Sequence, residues 1–175
     1  MAAAAGRPHP GEGYPMSQNA GSIGALLAIM ICMTTQANAQ KLQFEADNWV
    51  AECGAAADSD CSIIGVFKSA NAGPTGSFSL LVDLRNRMVA IVGKPSPSRA
   101  TIRIDKNPAL ECRGDQYCIF SATDAEAIAR QLKLGSLVLI DVVVGRDLFR
   151  ASISTKGYQA DLGKIRAQGF PIALE

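Results

Sequence analysis

Trp49-Val50-Ala51-Glu52-Cys53 and Cys61-Ser62-Ile63-Ile64 read as two short strands, joined by the small, polar segment Gly54-Ala55-Ala56-Ala57-Asp58-Ser59-Asp60. A cysteine stands at each end of that connection and can tie the strands together. Cys112-Arg113-Gly114-Asp115-Gln116-Tyr117-Cys118 repeats the device, a short loop with cysteines at its mouth. Four cysteines allow three connectivities, and their order alone does not choose among them. Local pairing, Cys53 with Cys61 and Cys112 with Cys118, is the expectation because each pair brackets a turn-forming segment. On the loop-entropy model each such bridge contributes about 2–3 kcal/mol by constraining the unfolded chain.

Working outward, the pattern stays β. Ser62 to Phe67 is a short apolar run, and Lys68 to Gly76 is a loop by its Gly, Pro and Asn content. Phe78, Leu80 and Val82 alternate with Ser77, Ser79 and Asp83, the period-two mark of a half-buried strand, although Leu81 breaks it. Met88 to Val92 gives another strand, and Gly93-Lys94-Pro95-Ser96-Pro97-Ser98 interrupts it. Ala100-Thr101-Ile102-Arg103-Ile104-Asp105 then alternates cleanly, and Asn107-Pro108 turns the chain before the second cysteine pair. Evenly spaced short strands with Gly/Pro punctuation suggest a sandwich or barrel. The expected architecture is a mostly antiparallel β-sandwich with two short helices and two disulfides.

The helices fall in the last third. Thr123-Asp124-Ala125-Glu126 has the spacing of a capping box, with the Thr123 hydroxyl as cap and Glu126 reaching back. Ile128, Leu132 and Leu134 continue an apolar stripe, and Gly135 ends the helix. Leu137 to Val144 is too apolar to face water on either side and is predicted to be a central strand. Asp141 within it invites an acid–base reading, but no second titratable group is visibly paired with it, so a hydrogen-bonded structural aspartate is expected. Gly145-Arg146-Asp147 turns the chain into Leu148 to Ser154, and a short helix is predicted around Ala160 to Ala167.

At the other end, Ile23 to Met33 is an uncharged apolar run, shorter than the roughly 20 residues that span a bilayer. It leads into Ala37-Asn38-Ala39, where a signal peptidase can cut before Gln40. Residues 1–39 are therefore expected to be an N-terminal extension plus a secretory signal. The Gly- and Pro-rich Met1 to Pro15 looks like an extension upstream of a start at Met16. Cys32 lies inside the apolar run after Ile31, where a lipoprotein cysteine would follow a small residue. Residues 40–175 are expected to be one exported β domain, with no stable membrane span once the signal is removed.

That removal alters the inventory of chemistry. His9 is the chain's one histidine, so residues 40–175 carry none, and Ser-His-Asp or Cys-His catalysis lacks its base. The remaining four cysteines stand at spacings unlike those of zinc sites, and an even number in an exported chain points to disulfides. No metal, cofactor or catalytic residue is predicted. Seventeen basic against sixteen acidic residues leave the chain nearly neutral, and aromatic residues make up 6%. A nucleic-acid binder would need a basic stripe or stacking platforms. With 48% hydrophobic residues the chain can bury a sizeable core.

The series Trp49, Cys53, Cys61, Ile102-Arg103-Ile104-Asp105, Cys112 to Cys118, Leu134-Gly135-Ser136 and Ser154-Thr155-Lys156-Gly157-Tyr158 resembles the invasion-associated locus B family. The likeness runs over nearly all of residues 40–175. It departs from the family at Tyr117, where a glycine often precedes the last cysteine. The resemblance implies an exported protein of a Gram-negative bacterium, periplasmic, outer-membrane associated or secreted, linked in some pathogens to host-cell invasion. It implies no catalytic residue and carries over the four cysteines and a Lys156-Gly157-Tyr158 turn as structural features.

The expected function is thus a non-catalytic envelope protein that binds a protein partner in the envelope or on a host cell. Two alternatives differ in class. One is a periplasmic hydrolase inhibitor that plugs its target with a disulfide-closed loop. The other is an envelope enzyme acting through carboxylates alone, with Asp83, Asp105, Glu111 and Asp141 as the available acids. The second loop also contains Arg113-Gly114-Asp115, the tripeptide of integrin ligands, which makes it a candidate partner-binding loop. Gly-Asp is equally ordinary turn chemistry.

Overall fold

A computed structural model describes residues 41–56, 59–67 and 76–174. The expected signal segment and cleavage before Gln40, and the loop over 68–76 apart from Gly76, lie outside the described residues.

Strands β1 (Leu42–Ala46), β2 (Trp49–Cys53), β3 (Cys61–Phe67), β4 (Ser77–Asp83) and β5 (Met88–Lys94) pair in sequence order as an antiparallel meander. Strands β6 (Arg99–Ile104), β7 (Leu110–Arg113) and β8 (Cys118–Ile119) come next, then helix α1 (Ala122–Leu134). Strands β9 (Leu137–Val144) and β10 (Asp147–Ser154) and helix α2 (Lys156–Ala167) complete the chain. All ten strands share one antiparallel sheet, in the order β1-β2-β3-β4-β5-β8-β7-β6-β9-β10. The two-residue β8 joins its halves, bonding to β5 on one side and β7 on the other.

The fold is therefore mostly antiparallel β, with two helices and two disulfides, as the alternation predicts. The sheet curls until β10 packs on β3 and β4. Phe149 lies 5.2 Å from Phe78, ring to ring, and Ile153 and Trp49 fill the space over Gly65. A Cβ at Gly65 would sit 2.8 Å from the Ile153 side chain and 2.9 Å from the Trp49 ring, so a larger residue there would have to displace them. Alternation sends Trp49, Ala51 and Cys53 inward from β2, and Phe78, Leu80 and Val82 inward from β4, all fully buried. Trp49 is the keystone: its indole packs edge-on against Tyr158, 5.4 Å away, and its N–H donates to the Ser154 carbonyl at 2.6 Å.

Three local expectations need correction. The capping box of α1 is set two residues earlier than Thr123–Glu126. Ser121 is the N-cap: its hydroxyl oxygen accepts from the Asp124 amide at 3.2 Å and its O–H donates to the Asp124 carboxylate at 2.7 Å. Both spacings satisfy the i, i+3 rule, and the register is decided by the inward stripe Ala125, Ile128, Ala129, Leu132. Glu126 instead pairs with Arg87 in the β4–β5 turn. Lys156-Gly157-Tyr158 is not a turn but the first turn of α2. Any Cβ at Gly157 would overlap the Ala46 carbonyl oxygen and the Trp49 ring, so glycine lets the helix start lie directly on the β1–β2 hairpin. Finally, β9 is second from the sheet edge, and its Leu139, Asp141 and Val143 are only half-buried.

The helices close on each other through Gln159. Its side-chain amide reaches the Lys133 and Gly135 carbonyls at 3.1 and 3.0 Å, groups that the end of α1 leaves without intrahelical donors. Within α2, Asp161 is fully buried and paired with Lys164 at 3.0 Å. The ammonium of Lys164 also donates to the Glu45 carbonyl and stands over the Phe44 ring, fastening the helix to β1.

Candidate functional site

The two cysteine pairs are local disulfides, Cys53–Cys61 and Cys112–Cys118, and all four residues are buried. Cys53 and Cys61 are direct cross-strand partners at the end of the β2–β3 pair. Cys112 and Cys118 hold β7 to β8 and close the loop 114–117. Gly114 is required there by close approach: a Cβ would overlap the Tyr117 carbonyl oxygen. The loop folds back on itself. Asp115, Gln116 and Tyr117 are exposed on it, whereas Arg113 belongs to β7, with its Nε 2.6 Å from Glu111.

The four acids occupy three different settings. Asp83 organises the β4–β5 turn, accepting from the amides of Arg85 and Asn86 at 3.2 and 2.9 Å. Asp105 accepts from the amides of Ser136 and Leu137, each at 3.0 Å, and so ties the end of β6 to the start of β9. Glu111 and Asp141 lie in one row of the outer sheet face. The row runs Glu111, Thr101, Asp141, Arg150 across β7, β6, β9 and β10. Two strand spacings put the backbones of Glu111 and Asp141 about 9.6 Å apart. Each carboxylate is engaged by an arginine, Glu111 by Arg113 and Asp141 by Arg150 at 3.4 Å. Asp141 is thus a partly exposed, ion-paired residue of a sheet surface, not a buried one.

This outer face is a feature that single-sequence reasoning misses. Its signal was present in the outward positions of β6, Arg99, Thr101 and Arg103, which alternate with the buried Ala100, Ile102 and Ile104. Arg113 stands directly opposite Arg99, and the next rows hold Thr101 and Arg103 with Asp141, Leu139, Arg150 and Ser152. Four guanidiniums therefore project from one open surface. Among the described residues no carboxylate lies within ion-pair reach of Arg99 or Arg103. A groove of about 650 Å³ runs over the same strands, with Arg103, Arg150, Thr101 and Ser152 among its walls. Asp141 also lines it and pairs with Arg150, so Arg103 is the guanidinium in its wall that no carboxylate among the described residues holds, beside the hydroxyls of Thr101 and Ser152.

No group of three or more potential metal ligands occurs among the described residues, and no helix among them is long and apolar enough to cross a membrane. Comparison with protein-family models, with curated proteins and with solved structures finds no match to the chain.

Proposed function

We propose that the chain is an exported, non-catalytic binding protein of a Gram-negative cell envelope, periplasmic, outer-membrane associated or secreted. Its contact surface is the outer face of β7, β6, β9 and β10, and its partner is an acidic component of the envelope or of a host cell. The observation that carries this is the set of Arg99, Arg103, Arg113 and Arg150 on one open face, where Glu111 and Asp141 offset two of the four charges and Arg103 and Arg150 line a groove. The resemblance to the invasion-associated locus B family and the two disulfides, which persist in oxidising compartments, support the same reading. The carboxylate-enzyme alternative draws on Glu111 and Asp141, but arginines engage both acids, which suits a surface that holds charge better than one that moves protons. Affinity capture from envelope extract and host-cell lysate, using protein expressed from the full chain, tests the reading. Partners recovered with the wild type are expected to be lost with Arg99→Ser/Arg103→Ser, and an identical set with both proteins would overturn it.

A second reading rests on the exposure of Asp115 in the disulfide-closed loop beside Arg113. It makes the tripeptide an integrin-type ligand, whose carboxylate reaches a receptor metal ion while the guanidinium meets an acidic pocket. Loop closure would lower the ordering cost of such binding.

A further inference from the structure

We infer that the occupant of this face is the surface of an anionic phospholipid bilayer; the inference rests on the binding role proposed for the same face. The row at one end of the face runs Ile119, Arg113, Arg99, Val143, Leu148 across β8, β7, β6, β9 and β10. Four strand spacings make it about 19 Å long. Two arginines occupy its middle, and exposed apolar side chains occupy its ends: Ile119 is 48% and Leu148 44% exposed, with Tyr117 at 59% just before Ile119.

The row offers two kinds of contact to an outside surface. Arg99 stands opposite Arg113, and while Glu111 holds Arg113, no carboxylate among the described residues lies within ion-pair reach of Arg99. Ile119, Tyr117 and Leu148 leave apolar surface exposed toward the row's ends. One occupant accounts for both. Headgroup phosphates satisfy guanidiniums, while the interfacial layer accepts tyrosine and aliphatic side chains beside them. A soluble polyanion would use the arginines alone and leave Ile119, Tyr117 and Leu148 idle. A single small anion would not extend over about 19 Å of sheet.

Cosedimentation of the purified protein with phosphatidylcholine vesicles, with and without phosphatidylglycerol, tests this. Binding is expected to the anionic vesicles, weakening as salt is raised. Arg99→Ser and Arg113→Ser should each lower vesicle affinity about five-fold. Tyr117→Ser and Leu148→Ser should also lower it, with an unchanged melting temperature because both side chains are exposed. Absence of binding to phosphatidylglycerol vesicles would overturn the inference. So would vesicle binding that Tyr117→Ser and Leu148→Ser leave intact while a sulfated polysaccharide competes for it, which would make the occupant a soluble polyanion. Capture of a protein partner that depends on Arg99 and Arg103, without vesicle binding, would overturn the lipid assignment and leave the binding role standing. Loss of both would remove the binding role as well.

Discussion

Trp49 on β2 donates its indole N–H to the carbonyl of Ser154 at the end of β10, joining points 105 residues apart at 2.6 Å. The bond links the meander to the last strand of the opposite half of the sheet, just before the chain enters α2. Trp49→Phe keeps an aromatic ring but removes the donor and leaves a part-buried carbonyl without it. A loss of about 2 kcal/mol is expected in urea unfolding. Gly157→Ala should cost a similar amount, about 1–3 kcal/mol, by pushing α2 off the Ala46 carbonyl and the Trp49 ring.

The disulfides make a second prediction. Non-reducing peptide mapping should return Cys53 linked to Cys61 and Cys112 linked to Cys118. Replacing either pair by serine should cost about 2–3 kcal/mol, since each bridge closes a short loop in the unfolded chain. Free thiols in protein isolated from the cell envelope would contradict both the pairing and the proposed compartment.

These clips were legible because each cysteine pair brackets a short turn-forming segment, although the order of the four cysteines leaves three connectivities open. The strand at Arg99–Ile104 was legible because its alternation is clean. Three features were harder to read. The run Leu137–Val144 lacks alternation, because Leu139 and Val143 lie on the outer face beside arginines instead of polar residues. Ser121 and Thr123 both begin a plausible capping box, and only packing separates them. Asp161 gives no signal at all: an acidic residue three before a lysine on a helix reads as a surface pair, yet here it is fully buried. The arginine face is long-range by nature, since only strand register brings Arg99 opposite Arg113 and Arg150 onto the same face.

Cap register can be measured directly. Ser121→Ala should destabilise the protein by about 1 kcal/mol, through loss of the bond from the Asp124 amide. Thr123→Ala, one turn position inside the helix, should change stability by less than about 0.5 kcal/mol. Equal losses in chemical denaturation would return the cap to Thr123.

The buried acid gives a contrast between two ion pairs. Lys164→Ala leaves the carboxylate of Asp161 inside the core without its cation, and a loss of about 2 kcal/mol is expected, discounted because Lys164 is itself partly exposed. Arg87→Ala breaks a pair whose two members are both about half exposed, and should cost under about 1 kcal/mol. Thermal unfolding of the two variants side by side checks the ordering.

Arg113 and Asp115 sit in different elements and act apart. In an integrin ligand the two charges are displayed together from one tight turn, and the tripeptide acts as a unit. Here Arg113 is a strand residue on the outer face, held by Glu111 at 2.6 Å and opposite Arg99. Asp115 lies in the loop that folds back over Gly114. The face reading therefore expects Arg113→Ser to weaken binding and Asp115→Glu to leave it unchanged. Cell adhesion to the immobilised protein makes the comparison with divalent cations present or chelated. Adhesion that needs the cation and is abolished by Asp115→Glu, at an unchanged melting temperature, would transfer Arg113 from the sheet face to the tripeptide. Equal adhesion by the wild type and Asp115→Glu leaves Asp115 as turn chemistry, because only the carboxylate of the tripeptide could reach a receptor's metal ion.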